Sequence, residues 1–312
     1  MNDDSFIGHG CGKIIIVGEH WVLDGIPAVA TGVPDFTTQA HWRQAPGPLR
    51  LIAGEHLTQT ELATSQAMVD DAQRHFHVKL QGHIHVNSTV PIRRGFGSSA
   101  AFAVAIVRLI ASQVRGDHKK TDEHILAVAT ALESQVHGTS SGLDPAAALA
   151  AGPVWFDGPG NIQPLEVESS ELLEPCRWVV CDVGAAPATS VAVTRATHAK
   201  DNMLAAELVR LQDQAKLAAL LVKKGLESGQ PEWLSKGMEC AASTLEALNV
   251  TDTRMERAMH IALERGAMAS KQSGAGLGGL VLSLTGTARE AETVSDALEQ
   301  AGFGTWILEV TS

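Results

Sequence analysis

Residues able to do chemistry sit at a few marked places in this 312-residue chain. Lys13 opens the apolar run "KIIIV", and Glu19 and His20 follow where that run should emerge from a strand into a loop. Gly95, Phe96 and Gly97 form a turn that delivers Ser98, Ser99, Ala100 and Ala101 to the start of an apolar helix. Glu133 falls in the last turns of another helical stretch, and Asp144 follows the turn "HGTSSGL". A glycine turn that opens a helix aims successive backbone N–H groups and the positive end of the helix dipole at one spot, and such a spot suits an anion. One lysine, two carboxylates, a serine pair and two glycine turns are a kit for phosphoryl transfer. Cations and N–H groups meet phosphate charge, a carboxylate and a hydroxyl suit magnesium, and a carboxylate can face an acceptor hydroxyl.

Each residue has a plainer reading when taken alone. Ser98 or Ser99 can simply cap a core helix, Glu133 can be a solvated helix-face carboxylate, and Lys13 a solvated strand-edge cation. Asp144 can be an N-cap, with Pro145 at the first helical position. The chain has 13 histidines; "HFH" and "HIH" put pairs at alternate positions, and without a third ligand nearby these read as surface histidines. Only the joint placement of the lysine, carboxylates and serines favours the chemical reading.

Several short segments fit familiar patterns and fail their structural context. "GAGLGG", Gly274 to Gly279, fits a dinucleotide fingerprint, but that must follow a strand and open a helix, whereas here the helical "IALERGAMAS" precedes and a strand follows. "GFGSSA" runs from strand to helix, yet "PIRR" intervenes and no strand ending in an acid comes about twenty residues later. "GTSSG" fits a hydrolase elbow but ends a helix, which makes Ser140 a turn residue rather than a nucleophile. Lys13 is followed by Ile14, without the Ser or Thr of a Walker loop.

The elements that must position these residues follow from periodicity. Strand patterns cover "KIIIV", "PAVATGV" from Pro27, "FTTQAHW" from Phe36 and "KLQGHIHVNSTV". Helical patterns cover 61–75, the segment after Ser98, and "TDEHILAVATALESQVHG", with Thr121 as N-cap. Beyond the strand "GPVWF" come the strand "RWVVCDV", three helical stretches between Asn202 and Arg265, and a strand, helix, strand ending. The pattern changes near Ser169, which suggests two domains, 1–169 and 170–312.

With 24 basic and 35 acidic residues the formal charge is -11, which argues against nucleic acid or an anionic membrane as the main partner. An anionic ligand needs a local positive site. The acidic N-terminus lacks a signal-peptide core and Arg108 interrupts the apolar helix short of a membrane span, so a cytoplasmic protein is expected. The four cysteines lack metal-ligand spacing and are expected to be reduced and mostly in the core.

Three motifs in order, "GKIIIVGEHWVLDG", "PIRRGFGSSAA" and "KQSGAGLGG", resemble those of the GHMP kinase superfamily, named for galactokinase, homoserine kinase, mevalonate kinase and phosphomevalonate kinase. Within it, Glu133, His137, Gly138, Ser141, Gly142 and Asp144 are similar to a mevalonate kinase pattern. The resemblance implies an α+β, two-domain GHMP kinase fold. Its N-terminal domain would be mixed α/β and its C-terminal domain a ferredoxin-like α+β unit, with the active site in the cleft between them. It implies ATP and Mg2+, and transfer of the γ-phosphoryl group to the C5 hydroxyl of mevalonate for isoprenoid precursor biosynthesis. Mevalonate would be the small-molecule partner, and a homodimer is common in the family. The alternatives are another acceptor, phosphomevalonate or a sugar, and a non-catalytic nucleotide-binding regulator.

The resemblance also implies roles. Gly95, Phe96, Gly97, Ser98, Ser99, Ala100 and Ala101 would form the phosphate loop, with Ser99 and Glu133 as magnesium ligands. Asp144 would face the acceptor hydroxyl and Lys13 would pair with it. Glu19 and His20 would contact the acceptor, Gly274 and Gly276 would support the nucleotide side, and Thr189 and Ser190 would lie in a substrate-contacting turn. Pro91 fits the second motif, while Arg93 and Arg94 carry no role. The chain departs from the family's "GEHAVVYG" at Trp21 and Asp24, has Ala188 where some members have arginine, and has "TSS" before Gly142.

Overall fold

The computed structural model describes residues 7–53, 58–114, 121–137, 140–158, 161–187 and 189–310. The chain forms two compact units: Met1–Lys13, Gly32–Pro91 and Gly97–Ala151 make one, and Ile14–Thr31, Ile92–Phe96 and Gly152–Ser312 the other. In chain order the elements are β1 (Ile7–Val17), β2 (Ala28–Pro48), β3 (Arg50–Ala53), α1 (Gln59–Phe76), β4 (Gln81–Ser88), α2 (Ser98–Ser112), α3 (Asp122–His137) and α4 (Leu143–Ala150). Then follow β5 (Pro153–Phe156), β6 (Ile162–Pro164), β7 (Arg177–Gly184), α5 (Thr189–Asp201), α6 (Ala205–Ser228), α7 (Pro231–Ala247), α8 (Thr253–Glu264), β8 (Ala269–Ser273), β9 (Gly279–Thr285), α9 (Ala288–Gln300) and β10 (Gly304–Glu309).

In the first unit β4 lies between β3, which is parallel to it, and the second half of β2, which is antiparallel. Their inward residues, Ala40 and Ile84 among them, join Phe76, Ile106, Ile110 and Leu132 in one apolar core. Helix α2 is buried almost throughout. Its small residues let β1 come against it: a Cβ at Gly8 would lie 1.9 Å from the carbonyl oxygen of Ala105, and one at Gly10 2.3 Å from that of Ala101. Arg108, the charge that interrupts this apolar helix, donates to the carbonyls of His9 and Leu149, so its burial is matched by acceptors. Side chains cap two of the helix starts. Thr58 and Glu61 form a capping box on α1, and Thr121 accepts from the N–H of His124 at the start of α3.

The second unit carries an antiparallel sheet in the order β10-β7-β9-β8. With its helices this is the β-α-β-β-α-β arrangement of a ferredoxin-like unit, and Val179, Val281, Met255, Val294 and Leu298 fill the space beneath α8 and α9. In the same unit Ala28–Thr31 of β2 pair with β5, and β5 with β6. Trp21 is buried with Leu211, Leu245 and Leu248 and donates its indole N–H to Thr244 at 3.0 Å.

Several elements differ from the periodicity reading. The two strand runs from Pro27 and Phe36 are one 21-residue strand, β2. Strand β1 begins six residues before "KIIIV", through glycines that the packing of α2 requires. Helix α5, with only Ala192 and Ala196 buried, has too weak an apolar stripe to announce itself. A strand, β8, separates α8 from the third glycine motif. That motif is therefore the turn of the β8–β9 hairpin, and it opens no helix. Cys11, Cys176 and Cys181 are buried free thiols and Cys240 is half-buried; burial pushes Cys176 up to about 11 and Cys181 up to about 12. No helix among the described residues is long and apolar enough to cross a membrane.

Candidate active site

Within the first unit the structure pairs four residues of the phosphoryl-transfer kit, Lys13 with Asp144 and Ser99 with Glu133. Lys13, only 4% exposed, places Nζ 2.9 Å from Oδ2 of Asp144. Asp144 is the second residue of α4, and the N-cap of that helix is Gly142. The capping reading of Asp144 therefore fails: its carboxylate pairs with Lys13 instead. The stem of Lys13 runs beneath the start of α2, where a Cβ on Gly97 would lie 2.6 Å from Lys13 Cγ. Gly97, with φ 68, is the N-cap of α2 and offers no side chain to its first N–H groups. Neither Ser98 nor Ser99 is the cap, since the first helical bond runs from Ala101 N–H to Gly97 O. Ser99 instead donates its hydroxyl to Oε1 of Glu133, which is buried on α3. Ala100 and Ala101 are fully buried, so the chain approaches this corner through backbone alone.

The second unit gathers the other candidates. Beyond Lys13, Ile15 in β1 exchanges two hydrogen bonds with the Ser273 hydroxyl at the end of β8, 3.0 and 2.9 Å. Glu19 and His20 follow at the end of β1. His20 Nε2 donates to the carbonyl of Ala275 at 2.8 Å, between Gly274 and Gly276. A carbonyl only accepts, so this bond puts the hydrogen on Nε2 and leaves Nδ1 as an acceptor in the neutral ring. Burial lowers the pKa of His20; the Ala275 bond opposes that shift, Lys200 adds to it and Asp24 opposes it. Gly95 and Phe96 also belong to this unit, where Phe96 packs edge-on against Trp306 with ring centroids 4.9 Å apart. Arg94 pairs with Asp182 at 2.6 Å, and Asp182 in turn accepts the N–H of Gly184. The arginine without a sequence role thus anchors the segment before the glycine turn to β7. Thr189 and Ser190 are exposed at the start of α5. Gly138, Ala188 and the side chain of His137 lie outside the described residues.

The family model described as the GHMP kinases N terminal domain matches residues 62–152, and the GHMP kinases C terminal model matches residues 222–304, together more than half of the chain. The chain belongs to the GHMP kinases. This GHMP kinase is 25% identical to the mevalonate kinase of Pyrococcus horikoshii over 309 residues, covering 90% of this chain and 89% of that protein. It is 27% identical to the mevalonate kinase of Aeropyrum pernix over 290 residues, covering 88% and 86%. Its fold is that of L. major mevalonate kinase solved with R-mevalonate, with a TM-score of 0.82, 21% identity and coverage of 99% and 96%.

Two lysines of this GHMP kinase escape sequence reasoning. Lys271, fully buried in β8, places Nζ 2.5 Å from Oε1 of Glu19 and donates to the carbonyl of Gln272. Burial lowers its pKa, and Glu19 works against that shift. The signal was faint: a lysine at the head of the third motif, in a strand whose five residues are all buried and whose apolar alternation is absent. Lys200, on α5, donates to His20 O and to Asp24; no local pattern could link residues so far apart in sequence. The hard oxygen donors of Ser99 and Glu133 fit a magnesium ion, which takes one or two protein carboxylates and completes its shell with phosphate and water oxygens.

Proposed function

We propose that this GHMP kinase is a mevalonate kinase, transferring the γ-phosphoryl group of ATP to the C5 hydroxyl of mevalonate to give 5-phosphomevalonate. The observation that carries the reading is the pairing of buried Lys13 with Asp144 beside the uncapped first turn of α2. The mevalonate kinases among its relatives, aligned over most of the chain, supply the acceptor.

The chemistry follows from these side chains. The N–H groups of the first turn of α2, reached without a side chain at Gly97, would hold phosphate oxygens of ATP, helped by the helix dipole. Ser99 and Glu133 would hold Mg2+, which when bound neutralises charge on the phosphates. Asp144 would accept the hydrogen of the acceptor hydroxyl and fix that oxygen's direction of attack. Lys13 would hold that carboxylate in place through their ion pair and meet negative charge developing on the acceptor oxygen. Because the phosphoryl transition state is loose, orientation by Asp144 matters more than early proton removal. Glu19 would receive a hydroxyl of the acceptor: its Oε2 is buried and has no hydrogen-bond partner among the described residues, so a donor there would satisfy it. Thr189 and Ser190 remain candidate acceptor contacts, and the segment Gly274 to Gly276 a support for the nucleotide.

The test is ADP release with ATP, Mg2+ and mevalonate, read through a coupled assay. ADP formed in step with 5-phosphomevalonate supports the reading. A chain that binds ATP yet releases no ADP with any alcohol is a nucleotide-binding regulator instead.

A further inference from the structure

Near the end of α5, Lys200 turns its ammonium onto the segment after β1. It donates to the carbonyl of His20 at 3.0 Å and to Oδ2 of Asp24, and it stands 4.5 Å from the centroid of the Trp21 ring. Its side chain is 13% exposed, so these bonds form in a partly desolvated setting where a cation is worth more than at an open surface. One lysine thus gathers residues 20, 21 and 24.

The backbone it holds is strained. His20 has φ 61 and ψ -33, a conformation rarely taken by a residue with a side chain. Such strain persists only where surrounding bonds over-determine it. At His20 the ring is fixed by the Ala275 carbonyl and the peptide oxygen by Lys200. Trp21 and Asp24 both depart from the family pattern quoted above, and both meet Lys200. The indole, itself tied to Thr244, gives the lysine stem and ammonium a face to lie on. The Asp24 carboxylate balances its charge.

We propose that Lys200 is a positioning residue for the phosphoryl acceptor, holding the His20 peptide in the strained conformation that presents the Glu19 and His20 side chains to it. The proposal rests on the acceptor site described under the proposed function. It gives Trp21 and Asp24 a joint purpose: together they make a seat for a cation.

The test varies mevalonate and ATP separately in the parent enzyme and in Lys200→Met, Lys200→Arg, Asp24→Asn and the Lys200→Met/Asp24→Asn double variant. Lys200→Met should raise KM for mevalonate about tenfold while KM for ATP stays within about twofold, the pattern of lost acceptor positioning. Lys200→Arg should recover most of the loss. Asp24→Asn should give a smaller rise, and the double variant should be no worse than Lys200→Met, because the two residues act through one contact. A lysine that only staples α5 to the fold would lower Tm and leave both KM values alone, and that result overturns the proposal. Should Lys200→Met fail to fold, Lys200→Arg and Asp24→Asn decide: an acceptor KM unchanged in both overturns it, and a selective rise supports it. If the parent is silent on mevalonate, the same comparison is run on the alcohol it does phosphorylate, so failure of the acceptor assignment is separate from failure of the role of Lys200.

Discussion

The Nζ of Lys13 sits 2.9 Å from Oδ2 of Asp144, with the lysine side chain 5% exposed and the aspartate 36% exposed. The asymmetry matters. The lysine is enclosed by β1 and the turn at Gly97, while the carboxylate keeps a face toward solvent from which an acceptor could approach.

Asp144→Asn keeps the shape of that face and removes its charge. Turnover should fall by about a thousandfold, within the range for a group that orients and receives a proton. Lys13→Met should fall by a similar factor, and the double variant should be little worse than either, as for residues that act as a unit. Nucleotide binding by calorimetry should stay near the parent value in Asp144→Asn. Near-normal turnover in that variant would remove Asp144 from the mechanism.

Ser99 donating to the buried Glu133 sets the expectation for magnesium. Glu133→Gln should raise the Mg2+ concentration needed for half-maximal ADP release severalfold, and Ser99→Ala should do so less. Chelation of Mg2+ should stop ADP release in the parent. An unchanged Mg2+ titration in Glu133→Gln would show that this carboxylate does not hold the ion.

Lys271 and Glu19 are both sealed from solvent. Removing one partner of such a pair leaves an uncompensated charge, worth about 3–5 kcal/mol of destabilisation. Lys271→Met should therefore unfold at lower temperature or denaturant than the parent, and the Lys271→Met/Glu19→Gln double variant should regain part of the loss. Equal stability of the single variant and the parent would mean that the pair is not buried in solution.

His20 sets a pH dependence. Burial holds its folded pKa below the ordinary 6.5 of a free histidine side chain, so on acidification the unfolded chain takes up a proton before the folded one does. Stability from this group is complete above pH 6.5 and declines as pH falls below that value toward the lowered folded pKa, at no more than about 1.4 kcal/mol per pH unit. A plot of Tm against pH should be flatter below pH ~6.5 for His20→Gln than for the parent. Parallel plots would place the titration elsewhere.

Much of the frame was legible because local physics and tertiary packing agree in it. Thr121 announces a helix start that the fold keeps, and the apolar run after Ser98 becomes the buried α2. Family motifs pointed to Lys13, Ser99, Glu133 and Asp144, and the structure brings the lysine to the aspartate and the serine to the glutamate. Other features were hidden because their cause is tertiary. The glycines at 8 and 10 look like a loop until the backbone of α2 is laid against them. Lys271 reads as a polar strand residue until Glu19 arrives from the far end of the chain. Asp24 reads as a departure from a pattern until Lys200 meets it.

The most direct test of the central claim is a panel of acceptors, mevalonate, phosphomevalonate, galactose and homoserine, each supplied with ATP and Mg2+ and with the product identified by mass. The account predicts turnover on mevalonate well above every other acceptor, with one phosphate added at the C5 hydroxyl. Turnover on galactose or phosphomevalonate with silence on mevalonate would contradict it.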